Sequence, residues 1–506
     1  MSNLYDDASL IMYPSGYKED KIYSLKPTDG SGDLDFTRAS SATRVNEQGL
    51  IETAAVILPT ELIVNGDFAS GTGWSLVGDF AISGGKASIT SAAQYSQLTS
   101  QGTNFLTSGK QYKLQVDIDT LSKDNAFAYR FSGGAVIPIL TSQIVNGKFE
   151  ANFTMPSNGY LWFQTTGSYT GLNVTIDNVS VKEVITNNVP RIDYTGGGCG
   201  KLLLEPQRAN LVTYSDQFDN AAWLENGSPA PIVTANTTTS PDGTTNADTL
   251  VMTSPSPATR LEQSVTYASG TYTISLYVKS LSGSNQVVRL FKFDGTSETN
   301  SGDITVTTEW TRITYIFTSV AGSGNISIRA GASNNNVNIA IYGFQAEQGS
   351  YPTSYIPTTT TAVTRVADVC NDLDITSFSI GNSYTILIGA ELNPLENNKV
   401  FFTGKTSANT ESFTIRNVVG QLRLYNTIDS SYPLTSYSSS TNKWVLKIDG
   451  TSYKIFYYGG SAASTFTTAR NLAHFNFYGS LTELKMQNLI IFPSALTDAE
   501  CIALTL

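Results

Sequence analysis

Short runs of alternating apolar and polar residues recur along most of this chain of 506 residues. In TYTISLYVKS (271–280) apolar side chains fall at every second position, and WTRITYIFTS (310–319) repeats the pattern. Such alternation is typical of a β-strand with one buried and one solvent-exposed face. Gly, Ser, Thr and Asn separate the runs, as they do in turns. The pattern predicts an all-β protein built from tandem β-sandwich (jelly-roll) domains.

The last part of the chain carries two clear local signals. In NKWVLKIDGTSYKIFYYGG, Asp449 and Gly450 separate two apolar runs and supply the positive φ angles of a tight hairpin turn. Further on, Pro493 ends an apolar run, and Thr497 with Glu500 forms a capping-box pattern. We therefore expect a hairpin, a final strand and one short C-terminal helix.

Two long segments begin alike. ELIVNGDFASGTGW (61–74) aligns without gaps with NLVTYSDQFDNAAW (210–223), so that Asp67 meets Asp216 and Trp74 meets Trp223. Both segments also end in an apolar strand, with NVTIDNVSVKEV closing the first and IAIYGFQAEQ closing the second. The length of the first segment fits one β-sandwich of about 100 residues. We interpret the second segment as a β-sandwich as well.

These signals divide the chain into four predicted regions. They are an N-terminal segment (1–60), a jelly roll (61–185), a second jelly roll (186–369) and a C-terminal sandwich (370–506). The stretch DFTRASSATRVNEQGLIE (35–52) has the pattern of a small hairpin around NEQG, and TAVTRVADV (361–369) echoes part of it. Because both copies lie at region boundaries, we interpret them as joints and not as catalytic loops.

Composition and charge exclude several classes of function. Lys and Arg number 31 against 42 Asp and Glu, for a net charge of -11, and no segment forms the basic stripe that binds nucleic acid. The N-terminal MSNLYDDASL is acidic, and apolar runs such as 489–492 are far shorter than a membrane span. We expect no nucleic-acid partner, no ordinary export signal and no membrane insertion.

This sequence contains few candidate catalytic residues. His474 is the single histidine, so a His-rich metal site is excluded and a catalytic triad would have to use this residue. TGGGCG (195–200) lacks the Lys-Ser/Thr of a phosphate loop, and the three cysteines are far apart. A glycosidase that uses two carboxylates far apart in the sequence stays an open alternative. We expect no catalytic residue and no enzyme activity.

Aromatic side chains are the candidate sugar-binding groups, because a pyranose docks its C–H face on an aromatic ring while Asn, Gln and Asp bond its hydroxyls. The chain has 26 Tyr, 23 Phe and 5 Trp. Trp74, Trp162 and Trp223 are the glycan-binding candidates. For the repeated pair Trp74 and Trp223, a place in the core is the alternative, and Trp162 is flanked by apolar Leu161 and Phe163.

Several phrases resemble those of tailed-bacteriophage virion appendage proteins, of the tail-fibre and head-fibre type found in crAss-like and other phages of gut Bacteroidales. They are LDFTRASSATRVNEQGLIE (34–52), NNVPRIDYTGGGCGKLLLEPQRANLVTYSDQFDNAAW (187–223) and FQAEQGSYPTSYIPTTTTAVTRVADV (344–369). In similar proteins GLIE runs almost directly into a phrase like NVPRIDY. Residues 61–184 separate the two phrases here, so the resemblance implies an inserted domain.

The inserted domain resembles a carbohydrate-binding module of the galactose-binding-like jelly-roll type, through NGDFASGTGW and VTIDNVSV. The resemblance implies no cofactor apart from a structural calcium ion. Asp67 and Asp177 are its candidate ligands, although Ala69 replaces the usual acidic residue after the NGDF phrase. The alternative identity for each of these aspartates is an exposed turn residue.

The C-terminal region resembles laminin-G and concanavalin-like sandwiches, through the Asp449-Gly450 hairpin and the ending QNLIIFPSALTDAECIAL. Together the resemblances imply a structural virion protein that is assembled in the host cytoplasm and docks to capsid or tail proteins by its N-terminal region. They also imply a homo-oligomer, most often a trimer, that presents glycan-binding modules to host-surface glycans. A purely architectural cementing protein and a glycan depolymerase are the alternatives.

Overall fold

The computed structural model describes residues 4–90, 96–100, 105–167, 169, 171–253, 259–332, 336–392, 399–406, 411–418, 421–425, 434–436, 443–457, 460–465, 472–477 and 483–506. Over these residues the sheets are antiparallel, and the expected all-β fold of tandem jelly-roll sandwiches is confirmed. The chain divides into two compact units. Unit 1 comprises Met1–Ala54 and Thr186–Leu506, and unit 2 comprises Ala55–Ile185.

Unit 2 is a jelly roll of two sheets around one apolar core. The first, here called the Trp162 sheet, has in spatial order the strands Val136–Pro138, Phe127–Phe131, Leu161–Thr165, Gln97–Ser100 and Trp74–Val77. The second, the Asp177 sheet, has the strands Lys148–Thr154, Gln111–Leu121, Val174–Ile185, Lys86–Ile89 and Ala81–Ser83, with Val56–Ile57 paired to the end of Val174–Ile185.

Unit 1 contains a second jelly roll with the same two-sheet plan. Its Arg329 sheet has the strands Leu224–Asn226, Arg260–Tyr267, Gly322–Ala330, Gln286–Phe293 and Glu298–Asn300, with Ile304–Val306 also paired to Gln286–Phe293. Its Tyr342 sheet has the strands Ile232–Thr238, Ala247–Met252, Val337–Gln348, Gly270–Ser280 and Thr311–Ser319. The alternation seen in the sequence places Ile274, Leu276 and Val278 in the core.

Unit 1 also contains the C-terminal sandwich. Its Asn488 sheet has the strands Ile192–Asp193, Lys201–Leu204, Leu484–Phe492, Ser383–Leu392, Lys443–Asp449, Ser452–Tyr457 and Gly460–Thr465. Its His474 sheet has the strands Cys370–Asp374, His474–Phe477, Lys399–Lys405, Glu411–Val418, Gln421–Tyr425 and Leu434–Ser436. The predicted hairpin is confirmed, with Gly450 at φ 60° between paired strands.

The N-terminal residues belong to this sandwich. Leu10–Met12 pairs with the last long strand of the Asn488 sheet, and Leu10, Met12 and Phe36 are buried in the same core. Tyr17–Lys18, Lys21–Ile22 and Leu34–Asp35 form a small sheet beside it. Strands from the predicted regions 1–60 and 186–369 therefore pair within the C-terminal sandwich. Periodicity identifies strands but not their distant partners.

The two joint phrases form short ribbons in unit 1. Thr43–Val45 and Ile51–Thr53 pair as the predicted hairpin, and Arg208–Asn210 pairs with Val363–Arg365. The two residues of unit 1 that flank the insertion are both hydrogen-bonded to residues 38–42, which precede the hairpin. Ala54 N donates to Ala42 O at 2.9 Å, and Arg38 Nη2 donates to Thr186 O at 3.3 Å.

The α-helix found in the described part of the chain is Asp498–Thr505. Thr497 Oγ1 accepts from Glu500 N, and the Glu500 side chain accepts from Thr497 N at 2.8 Å, so the predicted capping box is confirmed. The described residues form three short 3-10 turns, at Leu4–Asp7, Thr141–Gln143 and Thr376–Phe378. A membrane-spanning helix, which would need to be longer and more apolar, was not found among them.

Removal of the insertion should leave unit 1 folded, because the unit 1 residues that flank it, Ala54 and Thr186, are both held by hydrogen bonds to residues 38–42. We expect a chain with residues 56–185 deleted to keep a cooperative thermal transition and a β-type circular dichroism spectrum. A chain lacking residues 1–36 serves as the comparison and should lose the transition, since it loses a strand and buried core residues. Failure of the chain without residues 56–185 to fold would contradict the assignment of unit 1 as a unit that folds without the insertion.

Candidate functional site

A buried ion-pair network lies where the joint phrases meet in unit 1. Asp368 accepts from Arg38 Nη1 at 2.9 Å and also pairs with Arg191. Glu205 lies 2.6 Å from Arg191 Nη1 and 2.7 Å from Arg365 Nη1. All five side chains are at most 2% exposed. Three guanidinium groups thus surround two carboxylates in the interior of unit 1.

The electrostatics of this network are those of a structural element. Burial acts to raise the pKa of Glu205, but Arg365 and Arg191 outweigh it and hold that pKa well below its usual range. Burial, together with the neighbouring guanidinium groups, lowers the pKa of Arg38 to about 10, which leaves it charged at neutral pH. Glu205 and Arg38 are therefore both charged at neutral pH, and the DFTRASS phrase acts in folding.

Trp74 and Trp223 occupy matching positions in the two jelly-roll cores. They are 3% and 4% exposed, so neither ring offers a face to a sugar in this conformation. Trp74 Nε1 donates to Asn65 O at 2.9 Å, and Trp223 Nε1 donates to Tyr214 O at 2.9 Å. Asn65 and Tyr214 both have positive φ angles, at 57° and 50°. The repeated tryptophan thus fixes a tight turn at the start of each jelly roll.

The same turn is tied to the final strand of each jelly roll. Val179 N donates to Gly66 O at 2.8 Å in unit 2, and Phe344 N donates to Ser215 O at 2.8 Å in unit 1. Gly66 and Ser215 are equivalent in the gapless alignment of the two openings. The two jelly rolls therefore share the hydrogen bonds that join the opening turn to the final strand.

The final strands also share a bulge. It lies at Asn178, with φ 48°, and at Gly343, with φ 65°, and the strand register shifts at both points. The residue before the bulge is Asp177 in unit 2 and Tyr342 in unit 1. Glycine and asparagine adopt this left-handed conformation most readily. The bulge thus presents a carboxylate in one jelly roll and a phenol in the other.

Asp67 and Asp177 lie at the same edge of unit 2, because the turn of Asp67 is hydrogen-bonded to the bulge beside Asp177. Asp67 Oδ1 accepts from Ala69 N at 3.3 Å, and Asp177 Oδ1 accepts from Asn178 N at 2.7 Å. Calcium takes six to eight oxygen ligands. In the described part of the chain, no three acidic, His or Cys residues are grouped to hold a metal. The calcium site stays a prediction.

Trp162 is half-buried on the outward face of the Trp162 sheet. Thr99 and Arg130 flank it on the neighbouring strands and point to the same side, because residues directly opposite in a sheet share a face. Trp162 Nε1 donates to Gln164 Oε1 at 3.1 Å, and the Arg130 guanidinium lies 5.0 Å from a ring centroid of Trp162. The Tyr160 ring is 5.2 Å away and tilted by 43°.

The residues that form this face, here called the Trp162 surface, combine an aromatic pair with polar side chains. Their strand neighbours Leu161 and Phe163 are fully buried, which anchors the sheet from below. Because Gln164 and Arg130 fix the indole, binding would cost little side-chain ordering. Such a ring beside hydrogen-bonding groups suits a sugar. The Trp162 surface consists of Ser75, Val77, Gln97, Thr99, Arg130, Tyr160, Trp162 and Gln164.

The histidine and the three cysteines, for which no catalytic role is expected, lie in the following places. His474 lies on a strand of the His474 sheet, opposite Asp374 and Lys405. Cys370 and Cys501 are buried, Cys199 is exposed, and all three are free thiols.

The sequence analysis missed a cavity of about 540 Å³ in unit 1, at the edge of the buried network. Asp193, Glu205 and Glu483 all line it. Asp193 is paired with Lys485 at 3.0 Å. Burial, together with the carboxylates of Glu205 and Asp193, raises the pKa of Glu483 to about 7, although Lys485 acts against this rise. No sequence spacing brings these residues together, since they come from distant strands.

No protein-family model and no curated protein matches this chain. Among solved structures, it is similar to the CBM22-1–CBM22-2 tandem domain of Paenibacillus barcinonensis Xyn10C, with 12% identity and a TM-score of 0.24 over 59% of this chain and 98% of that chain. It is also similar to the CBM22-1 xylan-binding domain of Xyn10C from the same organism, with 16% identity and a TM-score of 0.23 over 29% and 99%.

A structure described as CBM4 gives 16% identity and a TM-score of 0.20 over 27% of this chain and 100% of that chain. At these scores the likenesses carry no argument about ligand or activity. The β-sandwich fold rests on the strand pairing described above.

Replacing Asp368 by Asn should strongly destabilise unit 1, because it leaves buried guanidinium groups without their counter-charge. We expect a loss of about 3–5 kcal/mol in the free energy of unfolding, measured by urea denaturation. The matched control is Asp35→Asn, which removes the exposed pair with Lys21 and should cost less than about 1 kcal/mol. Equal effects of the two substitutions would contradict a structural role for the network.

Glu483 should make unit 1 less stable as the pH rises. Its pKa of about 7 lies above the ordinary value of 4.5, so the folded chain binds the extra proton and loses stability between those values. Glu483→Gln should therefore raise the melting temperature at pH 8 more than at pH 5. Glu309→Gln changes an exposed carboxylate in the same unit and should give no such difference. A pH-independent effect of Glu483→Gln would contradict the prediction.

Proposed function

We propose that this protein is a structural subunit of a tailed-phage virion, of the head-fibre or tail-fibre type, that holds host-surface glycans through its β-sandwich modules. The Trp162 surface carries the glycan-binding part of the proposal. It is an outward sheet face on which a fixed aromatic ring lies among hydrogen-bonding side chains. The virion part rests on the phrases that resemble phage appendage proteins.

The shape of such a site explains why the chain would work in many copies. A sheet face offers a shallow contact, and a shallow contact binds a single sugar weakly. Linking several sites on one particle raises the overall avidity by about 10²–10⁴ without new contacts. A homotrimer displayed on a virion would supply this multiplicity.

Docking to capsid or tail proteins is assigned to the N-terminal region. Leu10–Met12 and Phe36 are built into the C-terminal sandwich. The docking surface would therefore be a face of unit 1 that includes exposed N-terminal residues, and not a separate flexible tail. Cryo-electron microscopy of the intact particle tests this assignment by locating the chain, and its absence from the virion would overturn it.

Trp162→Ala should abolish glycan binding by the Trp162 surface while leaving the fold intact, because the ring lies on the outward face. We expect binding of the purified full-length protein on a glycan array to fall by at least about tenfold, in line with the loss of an aromatic anchor. Val145→Ala removes an exposed side chain of the same unit, 66% exposed and outside the Trp162 sheet, and should leave binding unchanged.

Two results would favour the alternatives. Wild-type protein that binds no glycan on the array would favour the architectural role, for which the buried network of unit 1 is the supporting observation. Release of reducing sugar from host capsule would favour the depolymerase, for which the cavity with Asp193, Glu205 and Glu483 is the supporting observation.

A further inference from the structure

Three surface cavities meet at Tyr194 in unit 1. Their volumes are about 540, 620 and 270 Å³, and Tyr194 lines all three. Gly197 lines the first and second, and Ser15 lines the second and third. The first two volumes lie within the range of about 300–1,000 Å³ that is typical of small-molecule sites. The three cavities together are called the Tyr194 groove.

The glycine run beside Tyr194 shapes the groove. Gly196, Gly197 and Gly198 have φ angles of 87°, 75° and 81°, a conformation that side chains of L-residues rarely adopt. Gly197 N donates to Tyr194 O at 2.8 Å, which closes the turn. The Tyr194 hydroxyl donates to Glu47 at 2.9 Å and so fixes the ring. TGGGCG thus places a tyrosine at the centre of the groove.

The charged side chains in the groove are largely paired. Lys201 lies 2.6 Å from Glu391, and Arg44 lies 2.9 Å from Glu52. In the first cavity Lys485 is paired with Asp193. A nucleic acid or another polyanion would need unpaired cations. The pairing favours an uncharged ligand.

Asn488 supplies a hydrogen-bond acceptor that the protein does not use. It lines the 620 Å³ cavity and is 8% exposed, and its Oδ1 atom is covered by protein in this conformation and has no partner among the described residues. A Cβ atom at Gly389, opposite in the sheet, would lie 2.7 Å from that oxygen, so glycine leaves room for the carboxamide. A buried acceptor left unbonded costs about 1–3 kcal/mol, which a ligand donor would recover.

Aromatic rings line both main cavities. Tyr13 lies in the 620 Å³ cavity and is 38% exposed. Tyr277 and Trp310 line the 540 Å³ cavity, where Trp310 Nε1 donates to Thr239 O at 3.0 Å. Aromatic side chains thus line both main cavities, and Tyr194 is shared between them, which suits a ligand with several sugar rings.

We propose that the Tyr194 groove is a second glycan site, which binds a neutral oligosaccharide. Pyranose rings pack on Tyr13 and Tyr194, and rotation of the Asn488 carboxamide toward the cavity lets a sugar hydroxyl donate to its Oδ1 atom. Addition of a peptide strand is disfavoured, because the free edge of the strand Leu484–Phe492 at the cavity is limited to Gln487 and Asn488, between the pairings with Lys201–Leu204 and Leu10–Met12. This inference rests on the proposed function for its ligand class. The Tyr194 groove is a different site from the Trp162 surface, and it lies in unit 1 instead of unit 2.

The test uses the full-length protein in the Trp162→Ala background, with cellohexaose, xylohexaose and mannohexaose as probes in isothermal titration calorimetry. Asn488→Leu removes the acceptor without leaving a buried polar atom unpaired, and Tyr13→Ala removes an exposed ring. Each should weaken the remaining binding about five- to tenfold, as expected for one lost hydrogen bond or ring contact. Tyr23→Ala is the matched control, since Tyr23 is also 38% exposed but lies outside the groove.

The outcomes separate the two sites. Residual binding that falls with Asn488→Leu and Tyr13→Ala, at unchanged melting temperature, supports the groove. Complete loss of binding on Trp162→Ala alone overturns it and keeps the Trp162 surface. Full binding after Trp162→Ala that is lost with the groove variants supports the groove and overturns the Trp162 surface. Binding of no probe by the wild-type protein overturns the groove.

Discussion

The fold of unit 1 depends on the buried network of three arginines and two acids. Burial of a charge costs several kcal/mol per ion, and that cost is recovered only when every partner is in place. The partners come from chain positions 38, 191, 205, 365 and 368. Four stretches of the chain must therefore assemble together, and they tie the N-terminal region to the segments that flank the second jelly roll.

The two jelly rolls show which parts of a repeated scaffold are fixed and which are free to change. The backbone bonds from the opening turn to the final strand are the same in both, and so is the bulge. The side chains at the bulge differ, with Asp117 and Asp177 in unit 2 and Tyr277 and Tyr342 in unit 1. One architecture thus carries an acidic edge in one copy and an aromatic edge in the other, where Tyr277 lines the Tyr194 groove.

Local features of this fold could be predicted from the sequence, and distant ones could not. The Asp449-Gly450 hairpin, the Thr497 cap and the alternating strands depend on neighbouring residues, so their patterns were sufficient. The pairing of Leu10–Met12 with the last strand depends on residues that are far apart in the chain. The buried network has one signal in the sequence. Charged residues stand among small or apolar ones in each of its segments, which are TRAS, PRID, LEPQR and TRVAD. For Trp74 and Trp223, the repeat itself favoured the core.

The position of unit 2 in the chain has an evolutionary consequence. The chain leaves unit 1 at Ala54 and returns at Thr186, and both points are bonded to residues 38–42. Recombination at these two points could exchange the intervening module for another without disturbing a buried charge. A lineage carrying this frame could thereby replace one jelly roll in one genetic event, while the rest of the polypeptide kept its fold.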